Sequence, residues 1–188
     1  MSWCIFSDDR INSHCNVINA IDNTPIIKTV YIDDSFIVGE EEDIDRALFA
    51  WQKASNNKIK FNAIYKHQEP GELDDFFNKK DYNHSIFIWR MNSYNLTWYL
   101  ENRLKVFTGV YDNHGNIVIL VNRINNIDIT LYNVVKHELG HSLGLAHSFT
   151  NNRSTMKVAS DEISDCISKE DTDRLCLIYF CKGKPECY

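Results

Sequence analysis

Directly after Pro25 the chain reads IIKTVYID, an apolar, β-branched run that predicts a first strand. In GEEEDIDRALFAWQKASNN the period changes. Ile44, Leu48 and Trp51 fall on one helical face, and Glu41, Glu42 and Asp43 stand where a helix start favours negative charge. KIKFNAIYK then alternates, with Ile59, Phe61, Ala63 and Tyr65 opposite the polar positions, and HSIFIWRM is a continuous apolar run of strand length. A strand, a helix and two further strands predict a βαβ start, a largely parallel sheet and a right-handed crossover. LKVFTGVYDNHGNIVILVNRI adds two β-rich runs around DNHGN, whose Asp112, Asn113 and Gly115 are turn formers, so a hairpin is expected at the sheet edge, with His114 a turn residue in water. In ITLYNVVKHELGHSLG, Leu131, Val134 or Val135, Leu139 and Leu143 recur at helical spacing up to Gly144. SKEDTDRLCLIYF opens on Ser168 with Asp171 three residues on, a variant of the capping box, and predicts the last helix.

At 188 residues and 44% hydrophobic content the chain can bury one proper core. Its expected organisation is an N-terminal segment (1–24), one folded domain (25–180) and a cysteine-bearing tail (181–188), with an α+β fold whose N-terminal part is α/β-like. The net charge of -6 is scattered through DDR, IDD, GEEED and ELDD, and no basic stripe tracks phosphates. This argues against nucleic acid or an anionic membrane surface as partner. The acids read as solvated surface and helix starts, with calcium ligation the lesser reading. No apolar run approaches a membrane span, and MSWCIFSDDR lacks the pattern of a secretory signal. A soluble monomer is expected, acting either inside a cell or after loss of a leader that the numbering does not include. His14, His67 and His84 have no partner spacing and read as surface; Asn83, Asn95 and Asn152 head glycosylation sequons.

Cys4, Cys15, Cys166, Cys176, Cys181 and Cys187 sit at the two ends of the chain, and none are spaced as CxxC. That spacing argues against a cysteine zinc site. The concentration in CLIYFCKGKPECY reads as staples for loop-rich termini and an oxidising, extracellular compartment; buried free thiols in a cytosolic protein are the competing reading. No pairing is singled out.

The chemistry concentrates in VVKHELGHSLGLAHS, residues 134 to 148. Positions four apart lie one turn above each other on a helix, so His137 and His141 can reach one ion, while Glu138, one step round, can approach the ion's water without ligating. A catalytic zinc takes three protein ligands and a water. Gly144 lets the helix stop in a left-handed conformation, and the redirected chain delivers His147 three residues later. Gly140 costs about 1 kcal/mol relative to alanine inside a helix, which suggests a close backbone approach there.

The string HELGHSLGLAHS resembles the metzincin zinc endopeptidases and, within them, the matrixins. Ser148 after the third histidine is usual in matrixins; RSTMKV places Met156 at a distance suited to the family's Met-turn, a hydrophobic floor beneath the metal. ISKEDTDRLCLIYF resembles the matrixin closing helix, and ALFAWQKASNNKIKF the first helix and second strand, so the likeness covers roughly residues 26 to 180. The resemblance implies a twisted, mostly parallel sheet with one antiparallel edge strand, an active-site helix, a Met-turn and a C-terminal helix. It also implies an extended peptide lying antiparallel to the edge strand near Thr108, Gly109, Val110 and Tyr111. The pocket past the cleaved bond would be walled by Val134, Val158 and Ala159, with an apolar preference. The chain also departs from the matrixin pattern. WRMNSYNLTWYLENRLKVF lacks the HxD and glycine-rich stretch with which matrixins hold a structural zinc and calcium, so neither extra metal is expected. Position 158 is Val158, not the tyrosine that gives some metzincins a further zinc contact. Neither Cys4 nor Cys15 carries the surroundings of the latency cysteine of matrixins.

The expected activity is peptide-bond hydrolysis at one zinc held by His137, His141 and His147, with Glu138 as general base. Two rival readings fit the same residues: a zinc-binding module without catalysis, and a disulfide-stapled secreted binding domain whose histidines are incidental.

Overall fold

A computed structural model describes residues 24–67, 85–91, 108–112, 115–124, 129–149, 153–157 and 165–186. Five strands form one sheet: β1 (Ile26–Asp33), β2 (Ile59–Lys66), β3 (Ser85–Met91), β4 (Gly109–Tyr111) and β5 (Asn116–Leu120), in the order β2-β1-β3-β5-β4. Each contact is parallel except that of β4 with β5, so the sheet is mixed with one antiparallel edge. Alternation divides the strands between two apolar layers. Val30, Ile32, Ile86, Ile88, Ile117 and Ile119 enter the main core, whereas Phe87, Trp89, Val118 and Leu120 form a second cluster on the opposite face with Tyr31, Met91 and Val110. Burial on both faces is why β3 and β5 read as continuous apolar runs.

Helix α1 (Val38–Ala54) lays Ile44, Ala47, Leu48, Trp51 and Ala54 against the main core. It starts earlier than its acidic run suggests. Ile37 has no side-chain oxygen with which to cap, and Glu40 does the work from inside the helix, its carboxylate accepting the Ile37 N–H at 3.0 Å. A short helix, α2 (Val121–Ile124), follows β5. Helix α3 (Leu131–Ser142) begins at Thr130, whose hydroxyl accepts the Asn133 N–H at 3.2 Å. It packs on α1, and the two are tied by a buried bond of 2.8 Å from Trp51 Nε1 to the Lys136 carbonyl.

The closing helix α4 (Lys169–Tyr179) is capped by Ser168 as its sequence indicates, with the Asp171 N–H donated to Ser168 Oγ at 3.2 Å. A Cys176–Cys181 disulfide spans its C-terminal end, and Cys166 is also disulfide-bonded. The chain then returns across the end of α1: Lys184 N–H donates to Ala54 O at 2.9 Å and Glu186 N–H to Ile167 O at 3.0 Å. Among the described residues no helix is long and apolar enough to cross a membrane. Residues 1–23, His84, the turn residues Asn113 and His114, and the three sequon asparagines lie outside the described residues; His67 is exposed, 3.2 Å from Asp34.

Candidate metal centre and its edge strand

Helix α3 ends as its glycine foretells. Gly144 adopts φ 90°, its N–H reaches His141 O at 2.9 Å, and Leu145 N–H reaches back to Gly140 O at 3.0 Å, a Schellman closure. The chain turns here and brings the third imidazole beside the two on the helix. His141 Nε2 lies 3.1 Å from His137 Nε2 and 3.1 Å from His147 Nε2. The three nitrogens form one cluster able to hold a metal.

Two of the rings are oriented from behind. His137 Nδ1–H donates to Thr155 O at 2.7 Å and His141 Nδ1–H to Leu145 O at 2.8 Å, so both Nε2 lone pairs face the common point. Burial lowers both imidazoles to about 4, and lowers His147 as well, which keeps them neutral, the form that ligates. Nitrogens held about 2.0–2.1 Å from a tetrahedral zinc stand about 3.3 Å apart, and the two separations of 3.1 Å from His141, with all three nitrogens within 4.8 Å of one another, suit that ion.

Glu138 is buried beside the cluster, and desolvation raises its carboxyl to about 8 against the opposing pull of the Tyr111 N–H. A dication at the three nitrogens would draw this value down. The Tyr111 bond follows from register. Strand β4 bonds β5 through Thr108 O, 2.8 Å from Leu120 N, and beyond its end Asp112 N lies 3.1 Å from Asn116 O, so alternation turns the main-chain groups of Gly109 and Tyr111 outward, toward α3. Gly109 makes the approach possible: a Cβ there would stand 2.6 Å from Val134 Cγ1 and 3.1 Å from Glu138 Cγ.

Gly140 has a similar explanation, a close contact of side chains with its backbone. A Cβ at this position would meet Met156 Sδ at 2.2 Å and Trp51 at 3.0 Å, and Met156 is wholly buried. The turn carrying Met156 is anchored by Asp171, which accepts from Ser154 Oγ at 2.6 Å, Thr155 N at 2.8 Å and Ser168 Oγ at 2.8 Å. Thr155, Leu145 and Asp171 in this supporting role are not legible in the sequence. The first two act through backbone carbonyls, and Asp171 reads only as a helix-start residue.

Of the residues singled out by sequence, His137, His141, His147, Glu138, Met156, Val134, Gly109 and Tyr111 are thus brought together, whereas Thr108 gives its carbonyl to β5, Val110 packs in the cluster on the opposite face of the sheet, and Val158 and Ala159 lie outside the described residues. A comparison with curated proteins finds no match. Among solved structures the chain is similar to archaemetzincin from Methanopyrus kandleri, at 16% identity and a TM-score of 0.50 over 82% of this chain and 95% of that one. It is also similar to high choriolytic enzyme 1, a hatching-enzyme zinc protease of the medaka Oryzias latipes, at 15% identity and a TM-score of 0.46 over 87% of this chain and 94% of that one. The family model described as Matrixin matches residues 38–179, from the first residue of α1 to the last of α4, and on that match the chain belongs to the matrixin family.

Proposed function

We propose that this protein is a zinc-dependent endopeptidase in which Glu138 is the general base. The observation that carries the reading is the convergence of three neutral imidazoles beside a buried carboxylate that takes no part in the cluster. A structural zinc is normally closed by four protein ligands, whereas three with an adjacent base suit catalysis. When bound, zinc supplies a Lewis acid that acidifies water and polarises a carbonyl.

Glu138 accepts the proton of the attacking water and passes it to the leaving amine. The Tyr111 N–H orients its carboxylate for both transfers. An extended peptide would pair antiparallel with the outward groups of β4, and the pocket past the scissile bond would be apolar, walled in part by Val134. The disulfide-bonded Cys166, Cys176 and Cys181 favour action in an oxidising, extracellular compartment.

The test is cleavage of an unfolded protein by zinc-loaded wild type and Glu138→Gln. Equal zinc content with a loss of about a hundredfold or more in kcat is expected. Undiminished turnover by the variant would remove Glu138 from the mechanism, and an inactive wild type with a full zinc complement would favour a non-catalytic module.

A further inference from the structure

The third ligand is held differently from the other two. His137 and His141 each give Nδ1–H to a carbonyl, but among the described residues the His147 ring has a hydrogen-bond contact only with His141 of the cluster itself, and it is the most exposed of the three. It also sits on a loop rather than a helix. Its two neighbours, however, are both gripped by α4. Arg174 Nη2 donates to the Ala146 carbonyl at 2.6 Å, and Ser148 Oγ donates to Glu170 Oε1 at 2.9 Å. Glu170 and Arg174 are four residues apart and therefore lie on one face of α4. The backbone of Ser148 is fixed as well, its N–H donated to Met156 O at 2.7 Å.

We propose that Glu170 and Arg174 form a clamp that positions His147 through the residues on either side of it, and so sets how tightly this chain holds its zinc. The inference rests on the metal-centre reading above. Arg174 is poorly explained as a stabilising residue, because its Nη1 is buried without a hydrogen-bond partner among the described residues. It is also a cation beside the centre. Were charge its only influence, removing it would tighten the binding of a dication. The clamp requires the opposite sign.

The full chain is stripped of metal and titrated with zinc against a chromophoric chelator, comparing wild type with Ser148→Ala, Glu170→Gln, Arg174→Met and Arg174→Lys. Lys169→Ala, exposed on the same helix, is the control. Support of a ligand from behind is worth about 10–100-fold in metal affinity, and Ser148→Ala and Arg174→Met are each expected to weaken binding by that much, with Arg174→Lys in between and Lys169→Ala unchanged. The metal-free Arg174→Met protein should unfold at the wild-type midpoint or above it, since methionine replaces an unsatisfied buried donor. Zinc binding by Arg174→Met as tight as wild type or tighter overturns the clamp, as does a loss of affinity that merely tracks lower stability of the metal-free protein. A wild type that takes up no zinc overturns the metal centre itself, and the clamp with it.

Discussion

At the scale of the residue, two glycines show the same absence of a side chain serving different ends. Gly140 costs the helix roughly 1 kcal/mol in propensity, yet a methyl group there would drive into Met156 and Trp51, both fully buried. Overpacking at such short contacts costs toward the upper end of about 1–3 kcal/mol and outweighs the propensity gain, so Gly140→Ala should unfold at lower denaturant, with net destabilisation of up to about 2 kcal/mol. An increase in stability would mean that Met156 moves aside freely. Gly109 acts on position instead. A methyl group there meets Val134 Cγ1, which is too short and branched to swing away, so β4 or Glu138 must shift. Gly109→Ala should lower kcat by about ten- to a hundredfold with zinc affinity unchanged; wild-type kcat would show that the strand has slack. Gly140 was readable as an anomaly inside a helix, but nothing in the local sequence around Gly109 marks it as a point of close approach.

At the scale of the element, α4 is more than the end of the fold. Asp171 occupies its first turn, where sequence reads it as a capping residue, and Ser168 does donate to it. The same side chain also takes the hydroxyl of Ser154 and the N–H of Thr155, and the carbonyl of Thr155 orients His137. Asp171→Ala would leave three buried donors without their acceptor, and a loss of about 3 kcal/mol or more is expected in denaturant unfolding of the metal-free protein, together with weaker zinc binding. A variant within 0.5 kcal/mol of wild type, roughly the scatter of surface substitutions, would show that the turn stands without it. Most of the elements were legible because their periods are clean: the alternation of β2, the continuous run of β3 and the helical stripe of α3 all fall where the sequence puts them. The alternation misleads at Ala63, which is exposed on the outermost strand. The start of α1 was misplaced because Ile37 carries no capping oxygen, and the acids mark the first turn only approximately.

At the scale of the whole molecule, the order β2-β1-β3-β5-β4 could be narrowed from sequence but not read from it, because the neighbours of a strand depend on contacts between distant segments. The hairpin at the edge and the parallel β1–β2 pair follow from local signals; the insertion of β1 between β2 and β3 does not. That arrangement has a functional consequence. It leaves β4 as the terminal strand beside α3, so the same edge that lacks a strand partner among the described residues faces the imidazole cluster. The three clustered histidines were visible at once, since their spacing on a helix and beyond its glycine is itself a local geometric statement. The groups that aim them were hidden, being carbonyls and side chains brought from elsewhere by the fold.

On the proposed reading, His137, His141 and His147 hold one zinc and leave a fourth position to solvent. Anomalous diffraction at the zinc edge, on crystals of the full chain grown with zinc, tests it directly. One ion is expected about 2.0–2.1 Å from the three Nε2 atoms, with water at the remaining corner. No ion at the cluster, or a fourth protein side chain closing it, would rule out a catalytic zinc at these three histidines.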